Sequence, residues 1–231
     1  MGGAGGVREG ARVAVRAVFV DAGGTLIRPR QPVGVSYARV AREHGHPRDP
    51  VVVEARFRAA WRKRAHEAQA DDGRAFWAPV VAESLEVDDE RVFEELYQYY
   101  ASPRAWWVDT EALRVLGDLS RQGVRLGILS NWDTRLRELY HRFALDRHFP
   151  YLICSAEHGL EKPDPLLFRA ACRVAGVAPH EAVHIGDDAE KDVAGASRAG
   201  MLGLQYDDDL GWLGIERELV RLRRAPGWFA R

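Results

Sequence analysis

Apolar and polar positions along this chain follow two rhythms that take turns. Short runs rich in Val, Ile and Leu stand at 13–20, 124–129, 151–153, 182–185 and 202–204, each about the length of one strand. Between the later runs lie stretches with apolar residues three and four apart, at 110–122, 134–143, 165–175 and 189–199, which predict amphipathic helices. Strand and helix in alternation predict a parallel sheet with crossover helices, a doubly wound, Rossmann-like α/β core. More than a hundred residues separate the first run from the second, far beyond an ordinary crossover. That stretch predicts helices at 35–44, 50–70, 76–85 and 89–100, and no convincing strand. In the last of them Val92, Phe93, Leu96, Tyr99 and Tyr100 share one face. The expected organisation is a core from 1–30 and 106–231 with a helical cap, 31–105, inserted after the first strand.

Composition agrees with that division. A chain of 231 residues with 46% hydrophobic content suits one large domain carrying an insertion, and its core needs no disulfide or metal staple. A formal net charge of -1 removes the electrostatic case for a duplex nucleic-acid binder or a polybasic membrane protein. Residues 1–12 are Gly-rich and polar and read as a flexible leader. Arg16 interrupts the first apolar run, so neither a signal-peptide core nor a membrane span is expected there. Cys154 and Cys172 have no CxxC spacing and read as buried thiols of a reduced compartment, so a cytoplasmic location is expected. Of 33 basic residues only Lys63, Lys162 and Lys191 are lysine. The tail 210–231, with Trp212, Leu213, Leu219, Leu222, Trp228 and Phe229, predicts a final amphipathic helix. Docking on the sheet and a dimer contact are both open for it, and the oligomeric state is undecided.

Open parallel sheets bind ligands beyond the carboxyl ends of their strands. After the first run comes Asp21-Ala22-Gly23-Gly24-Thr25, after the second Ser130-Asn131-Trp132-Asp133, and after the fourth Gly186-Asp187-Asp188 with Asp192 four residues further on. The helix at 165–175 opens with Glu161-Lys162-Pro163-Asp164. Carboxylates, one hydroxyl and one ammonium therefore converge. Such a set suits a phosphoryl group with a hard cation, in which Asp21 and Asp187 supply oxygen ligands to Mg²⁺. An aspartate there can also be the nucleophile that forms an aspartyl-phosphate. Carboxylate and phosphate repel by roughly 4 kcal/mol per unit charge pair at about 4 Å and an effective dielectric near 20. A cation and Lys162 offset that repulsion, and Ser130 with backbone N–H groups can hold the equatorial oxygens.

Four segments, VFVDAGGTL, LGILSN (126–131), EKPDPLLF (161–168) and HIGDDAEKDVAGA (184–196), stand in the order and context of the motifs of haloacid dehalogenase-like hydrolases. The chain resembles the branch of that family with a helical cap after the first motif. The resemblance implies that Asp21 is the nucleophile and that Ser130, Asn131, Lys162 and Thr25 serve the phosphoryl group, with Thr25 also supporting the nucleophile loop. It implies Mg²⁺ on Asp21, the Gly23 backbone carbonyl and Asp187, with Asp188 and Asp192 as auxiliary carboxylates behind them. The implied substrate is a small phosphorylated molecule.

One position departs from the pattern. The family's phosphatases carry a second aspartate two residues after the nucleophile, and this chain has Gly23. The backbone carbonyl is kept and the general acid/base is lost. General acid–base catalysis contributes about 10² to 10⁴-fold, so good leaving groups such as aryl and acyl phosphates should lose least. Three functions stay open: a Mg²⁺-dependent phosphatase, slow or helped by a cap group such as His44, His46 or a glutamate; a phosphonate-cleaving hydrolase using Lys63, the cap's single lysine, as a Schiff base; and a catalytically quiet protein that binds a ligand in the same fold.

Overall fold

The central strand is apolar throughout and buried throughout, which places it in the middle of a covered parallel sheet. The computed structural model describes residues 15–64, 67, 71–209 and 211–224. The expected leader, the first two residues of the first apolar run, most of 65–70, and Trp228 and Phe229 lie outside the described residues.

Five parallel strands form the sheet: β1 (Ala17–Val20), β4 (Arg125–Ser130), β5 (Tyr151–Cys154), β6 (Ala182–Gly186) and β7 (Leu202–Gln205), in the order β5-β4-β1-β6-β7. A short antiparallel ribbon, β2 (Ile27–Pro29) with β3 (Trp106–Val108), pairs Ile27 with Val108 and Pro29 with Trp106. The helices α1 (Val33–Glu43), α2 (Pro50–Lys63), α3 (Arg74–Leu85) and α4 (Glu90–Tyr100) lie between the two ribbon strands in sequence. The rest are α5 (Thr110–Arg121), α6 (Arg135–Arg142), the single turns α7 (Ser155–His158) and α9 (Gly195–Ala199), α8 (Pro165–Ala175) and α10 (Gly211–Arg224).

Alternation along the strands divides the core in two. Val18 and Val20, with Leu126, Ile128, Val183 and Ile185, face α5, α6 and α10. Ala17 and Phe19, with Leu129 and Ile153, face α8 and α9. Gly127 makes room for Phe19, because a Cβ there would stand 2.6 Å from the Phe19 ring. Trp212, Ile215 and Leu219 are buried in the first cluster, so α10 docks on the sheet side. The four helices of the insertion share a separate cluster centred on Tyr37, Val40, Val53, Leu85 and Leu96.

Helix starts are marked by aspartate. Asp49, Asp89, Asp109 and Asp164 each accept backbone N–H bonds at the start of α2, α4, α5 and α8, satisfying donors that a helix leaves unpaired. The stretch expected as one helix at 189–199 is instead a wide π turn, Ala189–Ala194, followed by α9. Val193 N–H reaches back five residues to the Asp188 carbonyl. The widened turn carries Asp192 inward beneath Gly186, where a Cβ would meet its carboxyl carbon at 2.2 Å. Single π turns of this kind recur at functional sites.

Candidate active site

Because β1 lies between β4 and β6, the residues that follow these three strands come together at one end of the sheet. Asp21, Ser130 and Asp187 reach one cavity of about 320 Å³. Lys162 precedes α8 and is delivered there by Asn131. The Asn131 amide donates to the Lys162 carbonyl at 2.9 Å, and the Lys162 N–H donates to Asn131 Oδ1 at 2.7 Å. The Lys162–Pro163 bond is cis. Both polar atoms of the Asn131 side chain are thus engaged with backbone, and its contribution is to seat Lys162.

The Lys162 ammonium donates to Asp21 Oδ1 at 2.7 Å and to Asp192 Oδ1 at 2.5 Å. Asp192 also pairs with His184 Nε2 at 2.8 Å, and its Oδ2 accepts the Asp188 N–H at 3.1 Å. Among the described residues, Asp21 Oδ2 has no protein donor and is left to the cavity. Burial pushes the Asp21 carboxyl up to about 6; Lys162 opposes this while Asp192 and Asp187 add to it. Burial also pushes Asp192 upward, but Lys162 and His184 outweigh it and hold that carboxyl well below its usual range. For Lys162, burial favours the neutral amine, and the two carboxylates reverse the direction and raise it. Burial lowers His184, which leaves a neutral ring donating to Asp192.

Asp21, Asp187 and Asp192 offer carboxylate oxygens that lie within 4.8 Å of one another. Three carboxylates against one buried ammonium leave a surplus of negative charge; burial is the main reason Asp21 and Asp187 are raised, and the neighbouring carboxylates add to it. Hard oxygen donors with uncompensated charge fit a divalent cation such as Mg²⁺. Asp192 spends its oxygens on Lys162, His184 and a backbone N–H, so Asp21 and Asp187 are the carboxylates with capacity to spare. At Gly24, φ is +80° and a Cβ would meet Asp187 Oδ2 at 2.6 Å, so only glycine lets the loop after β1 pass this carboxylate.

Several expected residues sit elsewhere. Thr25 is fully buried and donates to Asp187 Oδ1 at 3.2 Å. It therefore orients Asp187 from behind, and it is not among the residues lining the cavity. Asp188 caps the π turn through Glu190 and Lys191 N–H, both at 2.9 Å, while its edge lines the cavity. Lys63 is exposed and paired with Glu83 at 3.1 Å, away from the cavity lining. In this arrangement the Lys63 ammonium does not line the cavity that Asp21 lines. His44 and His46 pair with Glu95 and Asp89 on the helical unit and line no part of the cavity.

Sequence reasoning missed a buried joint beside the site. Asp133 is fully buried, accepts the Trp77 indole N–H at 2.9 Å and pairs with Arg135 at 2.7 Å. The Arg135 guanidinium lies 4.1 Å from the centre of the Tyr97 ring, whose neighbour is Arg74 at 4.2 Å. Thr134 N–H donates to the Asp71 carbonyl at 2.9 Å. These bonds tie the loop after β4 to α3 and α4. The signal available in sequence was an aspartate and an arginine two residues apart beside a motif, which is too common a pattern to stand out.

A sequence profile of haloacid dehalogenase-like hydrolases matches residues 15–200, which contain β1 to β6 and the carboxylates Asp21, Asp187, Asp188 and Asp192. The chain belongs to the haloacid dehalogenase-like hydrolase family. It is 34% identical over 203 residues to Haloacid dehalogenase-like hydrolase domain-containing protein 3 of Mus musculus, covering 82% of this chain and 81% of that protein. It is 38% identical over 122 residues to a Phosphoserine phosphatase of Thermus thermophilus, covering 52% of this chain and 49% of that one. In fold it is similar to the crystal structure of a HAD phosphatase from Thermococcus onnurineus, with a TM-score of 0.66, 22% identity, and coverage of 88% and 97%. Within this family fold the chain sets an indole beside position 23. A Cβ at Gly23 would lie 3.4 Å from the Trp132 ring.

Proposed function

We propose that this hydrolase is a Mg²⁺-dependent phosphatase that cleaves a small phosphorylated molecule through an aspartyl-phosphate on Asp21. One observation carries the reading: a nearly buried Asp21 carboxylate sits at the cavity floor with one oxygen on Lys162 and the other facing the cavity.

Asp21, Asp187 and the Gly23 carbonyl would hold the Mg²⁺, which supplies charge neutralisation for the transferring phosphoryl oxygens. The protein's own residues do the rest. Lys162 is a fixed point charge for the phosphate, placed by Asn131 and Asp192 rather than by flexible solvent contacts. Ser130, at the end of β4, offers its hydroxyl to an equatorial oxygen. Asp21 attacks phosphorus, the bond to the leaving oxygen breaks, and water then attacks the phosphorus of the acyl phosphate and restores the carboxylate. The four helices between residues 31 and 105 act as the cap that covers the cavity mouth with Val33, Phe57 and Trp61. The two free thiols are buried, with burial pushing both upward, in keeping with a cytoplasmic protein. Among the described residues no helix is long and apolar enough to cross a membrane.

The test is hydrolysis of acetyl phosphate and p-nitrophenyl phosphate with Mg²⁺ and with EDTA, for the wild type and Asp21→Asn. Turnover that needs both the metal and Asp21 is expected. Equal rates in Asp21→Asn would overturn the reading, and Mg²⁺ binding without turnover of either substrate would leave the catalytically quiet binding protein.

A further inference from the structure

We propose that the substrate is the phosphate monoester of an aromatic hydroxyl, whose oxygen leaves as an aryloxide without a proton from the protein. This inference rests on the phosphatase reading above and specifies its substrate class.

Two independent features of the cavity lead there. The first is that, among the described residues lining the cavity, none contributed by the helical unit is an acid. Position 23 is glycine and the space beside it is backed by the Trp132 ring. Among the described residues, the helical unit gives the cavity only Val33, Phe57 and Trp61, none of which is a proton donor for this chemistry. Every carboxylate in the lining, Asp21, Asp187, Asp188 and Asp192, belongs to the floor, and an ammonium is a weak acid at neutral pH. With this lining, as far as the described residues form it, a leaving oxygen departs as an anion. Phenols ionise near pH 10, as tyrosine does, whereas simple alcohols ionise close to water's 15.7.

The second feature separates aryl esters from acyl phosphates, which also leave unprotonated. Above the polar floor the wall is aromatic: Phe57, Trp61, Trp106 and Trp132. The rings are held. Trp106 donates its indole N–H to the Tyr100 carbonyl at 2.8 Å and lies 5.1 Å from Trp132 between centroids, and Trp61 stacks on Trp77 at 5.3 Å. A small acyl group would leave this wall facing water. A flat ring meets it in the offset or edge contacts that aromatic pairs favour. The volume of about 320 Å³ lies at the small end of ligand pockets, suited to one ring and a phosphate.

The chemistry balances. Asp21 carboxylate displaces aryloxide from phosphorus, and the breaking P–O bond leaves its electron pair on the aryl oxygen. Water then attacks phosphorus, the P–O bond to Asp21 breaks, and dihydrogen phosphate is released. A proton passes through solvent from that phosphate to the aryloxide, giving phenol and hydrogen phosphate.

The experiment measures phosphate release with Mg²⁺ from phenyl phosphates of graded leaving-group pKa, from propyl phosphate and from acetyl phosphate, in the wild type, Trp61→Ala and Trp61→Phe. The expected kcat/KM falls steeply with leaving-group pKa and favours phenyl over propyl phosphate by about 10² to 10⁴-fold, the usual contribution of the missing acid. Trp61→Ala should raise KM for phenyl phosphate relative to acetyl phosphate by about fivefold to tenfold, and Trp61→Phe should restore most of it. A flat dependence on leaving-group pKa, propyl turned over as well as phenyl phosphate, or equal KM changes for the two substrates in a folded Trp61→Ala would each overturn the inference. If Trp61→Ala does not fold, the leaving-group series decides alone. Absence of any Asp21-dependent turnover, acetyl phosphate included, removes the phosphatase reading itself, whereas acetyl phosphate turnover without aryl turnover removes only the aromatic class.

Discussion

Asp192 and Lys162 stand thirty residues apart in the chain and 2.5 Å apart at the floor of the cavity. Asp192 is more than a partner for charge. Its repulsion helps keep the Asp21 carboxyl near 6, and its grip aims the ammonium at Asp21. Replacing Asp192 with Asn removes that repulsion, so the Asp21 titration should move below about 6 in the metal-free protein. Turnover should fall by about 10²-fold, the usual scale for a misplaced catalytic group. Carboxyl-carbon NMR titration checks the first and phosphate release the second. A purely structural Asp192 would leave the Asp21 titration where it is.

Metal affinity should depend on pH with a definite sign. A cation needs Asp21 ionised, and burial pushes that carboxyl up to about 6, so protons compete with the cation for it below that pH. Mg²⁺ affinity is therefore expected to rise about tenfold per unit while pH climbs from 5 toward 6, then level off above 7, with one proton released at the low end. Titration calorimetry in buffers of different ionisation enthalpy measures both. Affinity that is flat from pH 5 to 8 would show that Asp21 is not a ligand.

Lys63→Ala should leave phosphatase turnover unchanged. Its ammonium is solvent-exposed, bonded to Glu83 and absent from the cavity wall. A loss beyond about threefold in kcat/KM, on the order of 0.7 kcal/mol, would return Lys63 to the chemistry.

The joint at Asp133 should be costly to break. Asp133→Ala strands Arg135 and the Trp77 N–H in a buried setting, and removing one member of such a pair costs about 3–5 kcal/mol. Trp77→Phe deletes a single hydrogen bond while Asp133 Oδ2 keeps Arg135, and should cost about 1.5–3 kcal/mol, the usual scale for a hydrogen bond to a charged group. Urea unfolding ranks the two, and an Asp133→Ala protein as stable as wild type would mean that the joint is decorative.

Much of this was legible in sequence because it is local. The strand runs and the helices at 110–122 and 165–175 were readable from periodicity, since a face buried by a parallel sheet must repeat at a fixed interval. The motif residues were legible because the ends of parallel strands are where side chains can converge. The ribbon of β2 and β3 was not, as three residues per strand carry no period. The π turn at Ala189–Ala194 was hidden for another reason: it goes with Asp192 facing inward to a lysine that sequence spacing does not bring near.

The sequence alone determined the order of the five sheet strands and the main helices, the family and the identities of Asp21, Ser130, Lys162 and Asp187, because each depends on a residue type at a fixed place along its own strand or helix. The assignment of partners belonged to tertiary structure. Asn131 clamps Lys162, Thr25 stands behind Asp187, Lys63 faces solvent and Trp132 backs Gly23 because of how separately predicted pieces pack. Distances between side chains on different elements follow from strand order and helix rotation, and neither is written in the spacing of residues along the chain.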